Sequence, residues 1–234
     1  MTGRVVNRDE WLKARKLFLE KEKELTRAYD ALAAERRQLP MVLLHKNYKF
    51  QGPNNTTHTL ADLFGDKDQL IIYHFMFSPD DDEACRGCCH AGESFPDTRH
   101  LASKNTSFVC ISRAPVNKLE RFKERTGWKW PWYSSGDSDF NHDFFATADE
   151  SRGPGLINFR TKTEVEAKGS TWWNGDVPGY SVFLKLDGGI YHTYSAFARG
   201  GEQVLTTLMM LDMTPLGRQI DKFGPAEFLL KDEY

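Results

Sequence analysis

A narrow apolar stripe runs along a charged segment at the start of the chain. Helix-forming residues dominate from residue 9 to residue 39, and neither Gly nor Pro interrupts them before Pro40. Large apolar side chains recur along this segment every seven residues: Trp11, Phe18, Leu25, Leu32 and Leu39. The pattern predicts one long helix, so that residues 1–40 form a helical extension of the domain that follows.

This helix would be about 45 Å long at ~1.5 Å per residue, which exceeds the width of a small domain. Two arrangements are open for its apolar stripe. The stripe lies on its own domain, or it packs against a second subunit in a homodimer. A full coiled coil is disfavoured, because Lys21 and Glu35 interrupt the second apolar column that Ala14 and Ala28 would form.

Residues 41–234 contain the apolar runs that predict a sheet. QLIIYHFMF at 69–77 is almost continuously apolar and is typical of a central strand covered on both faces. SFVCISRA at 107–114 predicts a second buried strand. Residues 180–198 predict a hairpin that turns at Asp187-Gly188-Gly189.

Helical patterns separate these strands. Helices are predicted at 85–104 (kinked at Pro96), 115–127 and 201–215, and a short helical segment at 57–66. A strand is predicted at 41–50 and a turn at 52–56. The stretch at 128–145 is irregular and aromatic, and 146–178 is an insertion. The order strand, helix, strand, helix, hairpin and helix predicts an α/β domain with a mixed sheet flanked by helices.

Composition narrows the class of protein. The chain has 234 residues, 40% of them hydrophobic, and a net charge of −2, so no basic surface for nucleic acid is expected. No apolar run approaches the ~20 residues of a membrane span. The first residues, MTGRVVNRDEW, lack the apolar core of a secretory signal. We therefore expect a cytoplasmic protein with reduced cysteines.

Three of the four cysteines lie within EACRGCCHAG at 83–92. Cys85 follows a strand and its loop at the predicted start of a helix, where backbone N–H groups stabilise a thiolate. Cys88 lies one turn further along the same face, where it could resolve a mixed disulfide formed on Cys85. C-x-x-C in a β-α-β unit indicates thioredoxin-like redox chemistry. The acidic run at 80–83 could raise the pKa of Cys85 or cap the helix.

Two alternatives stay open for the same cluster. Cys85, Cys88 and Cys89, with a fourth ligand such as His90 or His74, could hold Zn(II) or Cu(I), although no second pair of ligands with zinc-site spacing exists. The cluster could also be inert. Cys110, within an apolar strand, is expected to be a small core residue.

Other side chains are candidate helpers of this chemistry. Arg113 ends the second buried strand, at the sheet edge where ligands collect in α/β proteins, and could lower the pKa of a thiolate there. His74, inside the central strand, is a core histidine or a proton carrier near Cys85. Trp130, Trp132 and Tyr133 could wall a substrate pocket or merely cover the core.

Long stretches of the chain resemble the DUF899 family. They are WLKARKLFLEKEKELTRAYD at 11–30, LIIYHFMF at 70–77, the C-x-x-C pair, ISRAP at 111–115, GWKWPWYSS at 127–135, SDFNHDF at 138–144, YSVFLK at 180–185 and HTYSAFARG at 192–200. The resemblance implies a thioredoxin-like fold and a predicted dithiol-disulfide oxidoreductase activity. Its redox centre would be a disulfide between Cys85 and Cys88, with no other cofactor and with a thiol or disulfide as partner.

Three departures from related patterns matter. Cys89 is an additional cysteine that the family generally lacks. The peroxiredoxin pattern P-x-x-x-T-x-x-C is absent, because Ser78 and Asp82 occupy its Pro and Thr positions. Thioredoxin-like proteins carry a cis-proline before the third core strand. Pro178 is one or two residues early for it, and Gly179, Tyr180 and Ser181 are the other candidates for that place.

These observations lead to one preferred function and two others. The preferred one is a thiol-disulfide oxidoreductase, with Cys85 as the attacking thiolate and Cys88 as the resolving thiol. The second is a metal-binding or interaction module built on the cysteine cluster. The third is an enzyme of the same fold, such as a lyase or hydrolase, that uses Cys85 alone as a covalent nucleophile.

Overall fold

The computed structural model describes residues 3–136, 138–221 and 224–234. Asp137 in the irregular stretch and Lys222 and Phe223 in the C-terminal tail therefore lie outside the described residues. The helices are α1 (Arg8–Arg36), α2 (Leu60–Leu63), α3 (Arg86–Gly92), α4 (Thr98–Ala102), α5 (Val116–Thr126), α6 (Phe140–Asp143), α7 (Lys162–Glu166) and α8 (Thr206–Leu211). Short 3-10 helices span Pro53–Asn55, Glu150–Arg152, Ala198–Val204, Gly224–Glu227 and Lys231–Glu233.

The strands confirm the predicted mixed sheet. They are β1 (Val42–Leu43), β2 (Lys49–Gln51), β3 (Thr57–Thr59), β4 (Gln69–His74), β5 (Thr106–Ser112), β6 (Trp132–Ser134), β7 (Thr147–Ala148), β8 (Gly175–Asp176), β9 (Gly179–Leu186) and β10 (Gly189–Phe197). Over the described residues, eight of them form one sheet in the order β1–β10–β9–β4–β5–β6–β2–β3, and β7 pairs with β8 separately.

Four neighbouring strands give the domain its fold. β4 and β5 are parallel, with His74 opposite Ile111, and α3 and α4 connect them. β9 runs antiparallel to β4, and β10 runs antiparallel to β9. The order β10–β9–β4–β5, with α8 after β10, is that of a thioredoxin-like fold, which confirms the prediction.

The long helix α1 confirms the helix predicted from the sequence over residues 9–39. Its N-cap is Asn7, whose side chain accepts a hydrogen bond from the Glu10 N–H at 2.9 Å. α1 contacts the domain near its end, where the Tyr29 hydroxyl donates to Gln203 and the Arg36 guanidinium lies 4.7 Å from the Tyr194 ring centroid.

The apolar stripe of α1 is not covered by its own domain. No residue of the helix is buried. Its large apolar side chains remain 52–71% exposed: Trp11, Phe18, Leu25 and Leu32. The arrangement in which the stripe lies on its own domain is therefore wrong, and packing against a second subunit stays a prediction.

Two predicted elements are each divided in the structure. The strand expected at 41–50 is two short strands, because the segment crosses the sheet: β1 pairs with β10 at one edge, and β2 pairs with β6 and β3 at the other. The helix expected at 85–104 is α3 followed by α4. Pro96 lies between them, and proline removes a helical hydrogen bond and disfavours helix in the residue before it.

The stretches taken as irregular contain regular structure. β6 lies within 128–145 and pairs in parallel with β5, with Cys110 opposite Trp132. The segment 146–178 includes β7, α7 and β8. The helix expected at 201–215 is a 3-10 helix followed by α8. Within the described residues, no helix is both long and apolar enough to cross a bilayer.

Successive side chains of β4 point to opposite faces of the sheet. Tyr73 belongs to the apolar cluster that contains Cys88, Cys110 and Trp130. Ile72 belongs to a second cluster, on the other face. The cysteines of α3 therefore lie over only one face of the sheet, and Tyr73 is on that face.

Candidate active site

Cys85 and Cys88 form the centre of the candidate site. Cys85 is the N-cap residue of α3 and is partly exposed, whereas Cys88 lies one turn further on and is only 1% exposed. The Cys88 side chain lies close enough to Cys85 to act on its pKa as a hydrogen-bond donor. Both cysteines are free thiols. The structure therefore brings together the two residues that the C-x-x-C spacing singled out.

The backbone of Met76, just after β4, holds both cysteines in place. Its carbonyl oxygen accepts a hydrogen bond from the Cys85 N–H at 3.1 Å. Its N–H donates to the Cys88 Sγ at 3.4 Å. The Cys85 carbonyl in turn accepts from the Cys89 N–H at 2.9 Å and so starts the helix. The end of the central strand thus fixes the separation of the two sulfurs.

The two thiols differ in acidity. The hydrogen bond from Cys88 lowers the pKa of Cys85 to about 6, assisted by the N–H groups of Cys88 and Gly87 and opposed by burial. Burial raises the pKa of Cys88 well above the usual value for a thiol, and its hydrogen bond to Cys85 adds to this. Near neutral pH, Cys85 is therefore a thiolate and Cys88 the thiol that donates to it.

The acidic run before Cys85 affects this balance only in part. Asp81 acts to raise the pKa of Cys85, as one of the weaker influences on it. The Asp81 carboxylate accepts a hydrogen bond from the Ser78 N–H at 2.7 Å, and Glu83 pairs with Arg125. The N-cap of α3 is Cys85 itself. The acidic side chains therefore do not cap the helix, and the thiolate remains favoured.

The rate at which Cys85 is alkylated should depend on pH. Because only the thiolate reacts, the rate of alkylation by iodoacetamide should rise with a midpoint near pH 6 and reach a plateau above it. An ordinary thiol would show its midpoint at about pH 8.5. The rate can be followed by mass spectrometry of the peptide that carries Cys85. A midpoint at or above that of glutathione, measured alongside, would contradict the assignment of Cys85 as the nucleophile.

Tyr73 contacts the buried thiol from the sheet. Its side chain is 4% exposed, and its hydroxyl shares a hydrogen bond with the Cys88 thiol. Cys88 therefore has two neighbouring donors, the Met76 N–H and the Tyr73 hydroxyl, that would stabilise negative charge on its sulfur. Tyr73 was not among the residues predicted from the sequence. The alternation of side chains along β4 could have identified it, since it places residue 73 on the face opposite to residue 74.

A cavity of about 380 Å³ opens beside the two cysteines. It lies between α3, the start of β9, the end of β10 and the segment 224–226. Pro178 and Gly179 line it, and Gly179 is the first residue of β9, opposite His74. The peptide bonds of the described residues, including that of Pro178, are all trans, so the cis-proline of thioredoxin-like proteins is not present among them.

The C-terminal segment, defined as residues 224–234, packs along α3. Two hydrogen bonds, of 2.8 and 2.9 Å, join Arg86 to Glu233. The rings of His90 and Phe228 stack with centroids 4.2 Å apart. Ala226 approaches Gly87 so closely that a Cβ added to the glycine would lie 3.5 Å from the Ala226 nitrogen. This segment therefore forms one wall of the cavity beside the cysteines.

Cys89 points away from the other two cysteines. It is 5% exposed and, together with His90, lines a different cavity beneath the C-terminal segment. Burial raises the pKa of Cys89 to about 12. Across the described residues, no group of three or more Cys, His, Asp or Glu side chains could hold a metal ion. The ligand set Cys85, Cys88, Cys89 and His90 is therefore not assembled as a metal site among these residues.

Removal of Cys89 tests whether it takes part in redox chemistry. We expect Cys89→Ala to leave the rates of both steps of disulfide exchange within about twofold, because the side chain does not reach the cavity that holds Cys85. The variant should lose about 1 kcal/mol of folding stability, since it empties a small buried site. Stopped-flow exchange rates and urea denaturation measure the two effects. A lost second step would identify Cys89 as the resolving thiol.

The structure does not bring His74 to the cysteines. Its side chain is 1% exposed and lies against Phe140, in line with the alternation along β4, on the face opposite to Tyr73. Its Nε2 is 2.8 Å from the Ser181 Oγ. Burial lowers the pKa of His74 to about 3. The imidazole is therefore a neutral core group, and Ser181 shares its face of the sheet.

Arg113 also binds groups other than the cysteines. Its Nε donates to the Asp176 Oδ1 at 2.7 Å, and its Nη2 donates to the Ser78 Oγ at 3.2 Å. It does not line the cavity beside Cys85. The guanidinium thus joins the loop after β4 to β8 at the sheet edge where the sequence placed it.

The aromatic residues proposed as a pocket wall are core residues. Trp130 and Trp132 are 6% and 2% exposed and pack with Phe75. Tyr133 packs against the cluster on the other face of the sheet. None of these three candidates lines the cavity beside Cys85. The cavity is instead lined by residues of α3, β9, β10 and the C-terminal segment and by the segment 198–205 that follows β10.

Comparison with protein families supports the resemblance seen in the sequence. The family model described as "Bacterial protein of unknown function (DUF899)" matches residues 1–234. A search of curated proteins found no match. The description attached to the family assigns no activity, so the chemistry has to be argued from the site.

Solved structures similar to this chain include three bacterial proteins. A cysteine mutant of PrxQ from Xylella fastidiosa is 15% identical and has a TM-score of 0.45, covering 73% of this chain and 94% of its own. Peroxiredoxin Q from Xanthomonas campestris is 13% identical with a TM-score of 0.49 and coverages of 76% and 98%. Peroxidoxin BcpB from Mycobacterium tuberculosis is 16% identical with a TM-score of 0.46 and coverages of 74% and 97%. The fold assignment rests on the strand order of the chain itself.

Proposed function

For this chain, which belongs to the DUF899 family, we propose a thiol-disulfide oxidoreductase activity carried by Cys85 and Cys88. The observation that carries the proposal is the placement of both cysteines on the backbone of Met76, one helical turn apart, with Cys85 the more exposed and its pKa lowered. A reactive thiolate with a second thiol within contact distance is the arrangement that dithiol exchange requires.

The first step takes place at Cys85. Its thiolate attacks one sulfur of a substrate disulfide, so that a Cys85–substrate disulfide forms and the substrate's own disulfide breaks. The other half of the substrate leaves as a thiolate and takes up a proton from water. The low pKa of Cys85, about 6, keeps the nucleophile ionised at neutral pH. This step leaves the mixed disulfide next to the Cys88 thiol.

The second step takes place at Cys88. Once Cys85 is part of a disulfide, it no longer carries the charge that raised the pKa of Cys88. The Met76 N–H and the Tyr73 hydroxyl then stabilise the thiolate that forms on Cys88. This thiolate attacks the Cys85 sulfur, a Cys85–Cys88 disulfide forms, and the second half of the substrate leaves as a thiolate that takes up the proton released by Cys88. The substrate gains two electrons, and an external dithiol would restore the protein.

The proposal is tested with dithiodipyridine, a disulfide whose product thiol absorbs light. One equivalent added to the reduced protein should release two equivalents of product in two phases. Peptide mapping should then show a Cys85–Cys88 disulfide. Release of a single equivalent, or an unreactive Cys85, would contradict the proposed function.

The same preparation tests the metal-binding alternative. Protein purified without chelator should contain much less than one equivalent of Zn or Cu by elemental analysis. A stoichiometric metal that thiol-blocking reagents release would overturn the oxidoreductase proposal in favour of a metal module.

A further inference from the structure

The cavity beside Cys85 and Cys88 has the size of a small-molecule site. Its volume of about 380 Å³ lies at the lower end of the range of roughly 300–1,000 Å³ for ligand pockets. The sulfurs of Cys85 and Cys88 stand at its wall, so a molecule inside it would present its own atoms to the nucleophile. Such a molecule has no more than a few tens of non-hydrogen atoms.

Much of the lining of this cavity is small and apolar, beside the larger side chains of Tyr73, Tyr180 and Leu205. Residues without long side chains come to it from α3, β9, β10 and the C-terminal segment: Gly87, Ala91, Pro178, Gly179, Ala196 and Ala226. Small side chains leave room for the apolar body of a ligand. The hydrophobic effect would favour its transfer from water.

Apart from the Cys85 thiolate, the charged side chains of the described residues that line the cavity pair with each other. The Arg199 Nε donates to the Glu202 Oε1 at 3.1 Å, and Glu202 also accepts from the Arg218 Nη1 at 3.0 Å. The Arg199 side chain is 84% exposed, so it lies at the mouth and not in the interior. An anionic ligand would lose hydration in this cavity and meet the Cys85 thiolate without gaining a free counter-charge. The lining therefore favours a neutral ligand over an anionic one.

The C-terminal segment restricts access for macromolecules. It is tied to α3 by Arg86–Glu233 and to α5 by Arg125, whose Nε donates to the Asp232 Oδ2 at 2.6 Å. Leu230 anchors it and is 6% exposed. A disulfide in a folded protein has chain on both sides of each cysteine, and the C-terminal segment beside the cavity would limit the room for that chain. A small disulfide can enter the cavity without moving it.

We infer that the substrate of this site is a small, neutral organic disulfide with an apolar body, bound in the cavity between α3, β9, β10 and the C-terminal segment. The inference rests on the proposed function and adds the substrate class to it. The substrate is reduced to two small thiols as Cys85 and Cys88 become a disulfide. Arg199 and Glu202 then mark the entrance through which both products leave.

Three disulfides test the substrate class. They are dithiodipyridine (small and neutral), dithiobis-nitrobenzoate (small and doubly anionic) and insulin (a protein). Each rate with the protein is divided by the rate of the same disulfide with dithiothreitol, so that intrinsic reactivity cancels. We expect the normalised rate to be at least about tenfold higher for the neutral disulfide than for either other probe.

Filling the cavity provides the second measurement. Ala226→Leu adds bulk to the wall beside Gly87, and we expect it to slow the reaction with dithiodipyridine about tenfold. Alkylation of Cys85 by the much smaller iodoacetamide should change by less than about twofold. Ala34→Leu, on the exposed surface of α1, adds the same atoms outside the cavity and should change neither rate. Ala196→Leu fills the opposite wall and replaces Ala226→Leu if the latter does not fold.

The outcomes separate this inference from the proposed function. Two-phase exchange with equal normalised rates for all three probes, or unchanged rates in both cavity variants, overturns the substrate class and leaves dithiol exchange standing. If insulin is the fastest probe, the substrate is a protein disulfide. If none of the probes yields a Cys85–Cys88 disulfide, the proposed function fails.

Discussion

With Cys88 replaced by serine, a disulfide substrate is expected to remain attached to Cys85. The serine hydroxyl can still donate a hydrogen bond to Cys85, so the first step should persist, but it cannot displace the bound half of the substrate. Dithiodipyridine should release one equivalent of product instead of two. Loss of a well-positioned intramolecular nucleophile should lengthen the lifetime of the mixed disulfide by at least about a thousandfold. Intact-mass spectrometry over time measures that lifetime.

Two further variants make this result specific. Cys85→Ser should abolish both phases of release. Cys88→Ala removes the strongest influence that lowers the pKa of Cys85, so the midpoint of Cys85 alkylation should move to higher pH than in Cys88→Ser. Two equivalents of product from Cys88→Ser would show that another thiol resolves the mixed disulfide. An activity of the protein toward its own substrate that survives Cys88→Ser would instead favour a lyase or hydrolase that needs Cys85 alone.

Replacing Tyr73 by phenylalanine is expected to slow the second step and spare the first. The change deletes one hydroxyl that stabilises the Cys88 thiolate as it forms. A hydrogen bond to a charged group contributes about 1.5–3 kcal/mol, and about 1.4 kcal/mol corresponds to a tenfold change in rate. The second phase of release should therefore slow at least about tenfold. Its dependence on pH should shift upward, since a weaker donor leaves a less acidic thiol.

Tyr180→Phe is the matched control for Tyr73→Phe. The Tyr180 ring lies on the same face, with its centroid 4.8 Å from that of Tyr73. Its hydroxyl is buried and has no hydrogen-bond partner among the described residues. Both variants thus delete one phenolic hydroxyl beside the same cavity, but only the Tyr73 hydroxyl acts on the pKa of Cys88 as a hydrogen-bond donor. Equal slowing in both variants, or equal slowing of both phases in Tyr73→Phe, would assign Tyr73 a structural role only.

The parts of the fold that sequence reasoning recovered are those that local pattern determines. The apolar run at 69–77 is typical of a strand covered on both faces, and Asp187-Gly188-Gly189 predicts the turn of the hairpin. β6 is not predicted by the sequence pattern, because WKWPWYSS has no continuous apolar run. Its strand conformation depends on pairing with β5. The strand expected at 41–50 is divided for the same reason. Its two parts, β1 and β2, pair at opposite edges of one sheet. Long-range pairing, not propensity, decided these elements.

The candidate site could likewise be predicted from the sequence only in part. The spacing of Cys85 and Cys88 was enough to place two sulfurs together, because one turn of helix relates them. The wall of the cavity could not be predicted, because its position depends on partners far apart in the sequence. Glu233 reaches back 147 residues to Arg86, and Asp232 reaches back 107 residues to Arg125. Of the two roles open for His74, the structure confirms the core histidine, because strand alternation places it on the face opposite to Tyr73.

The exposure of α1 has a consequence for how the chain opens. Because no residue of α1 is buried in either apolar cluster, its backbone hydrogen bonds depend on the helix alone and not on the core. Amide protons of α1 should exchange with deuterium long before those of β4 and β5, which exchange only when the whole sheet unfolds. A second copy seated on the stripe would slow that exchange in proportion to its occupancy. Protection of α1 that increases with protein concentration is therefore a direct measure of self-association.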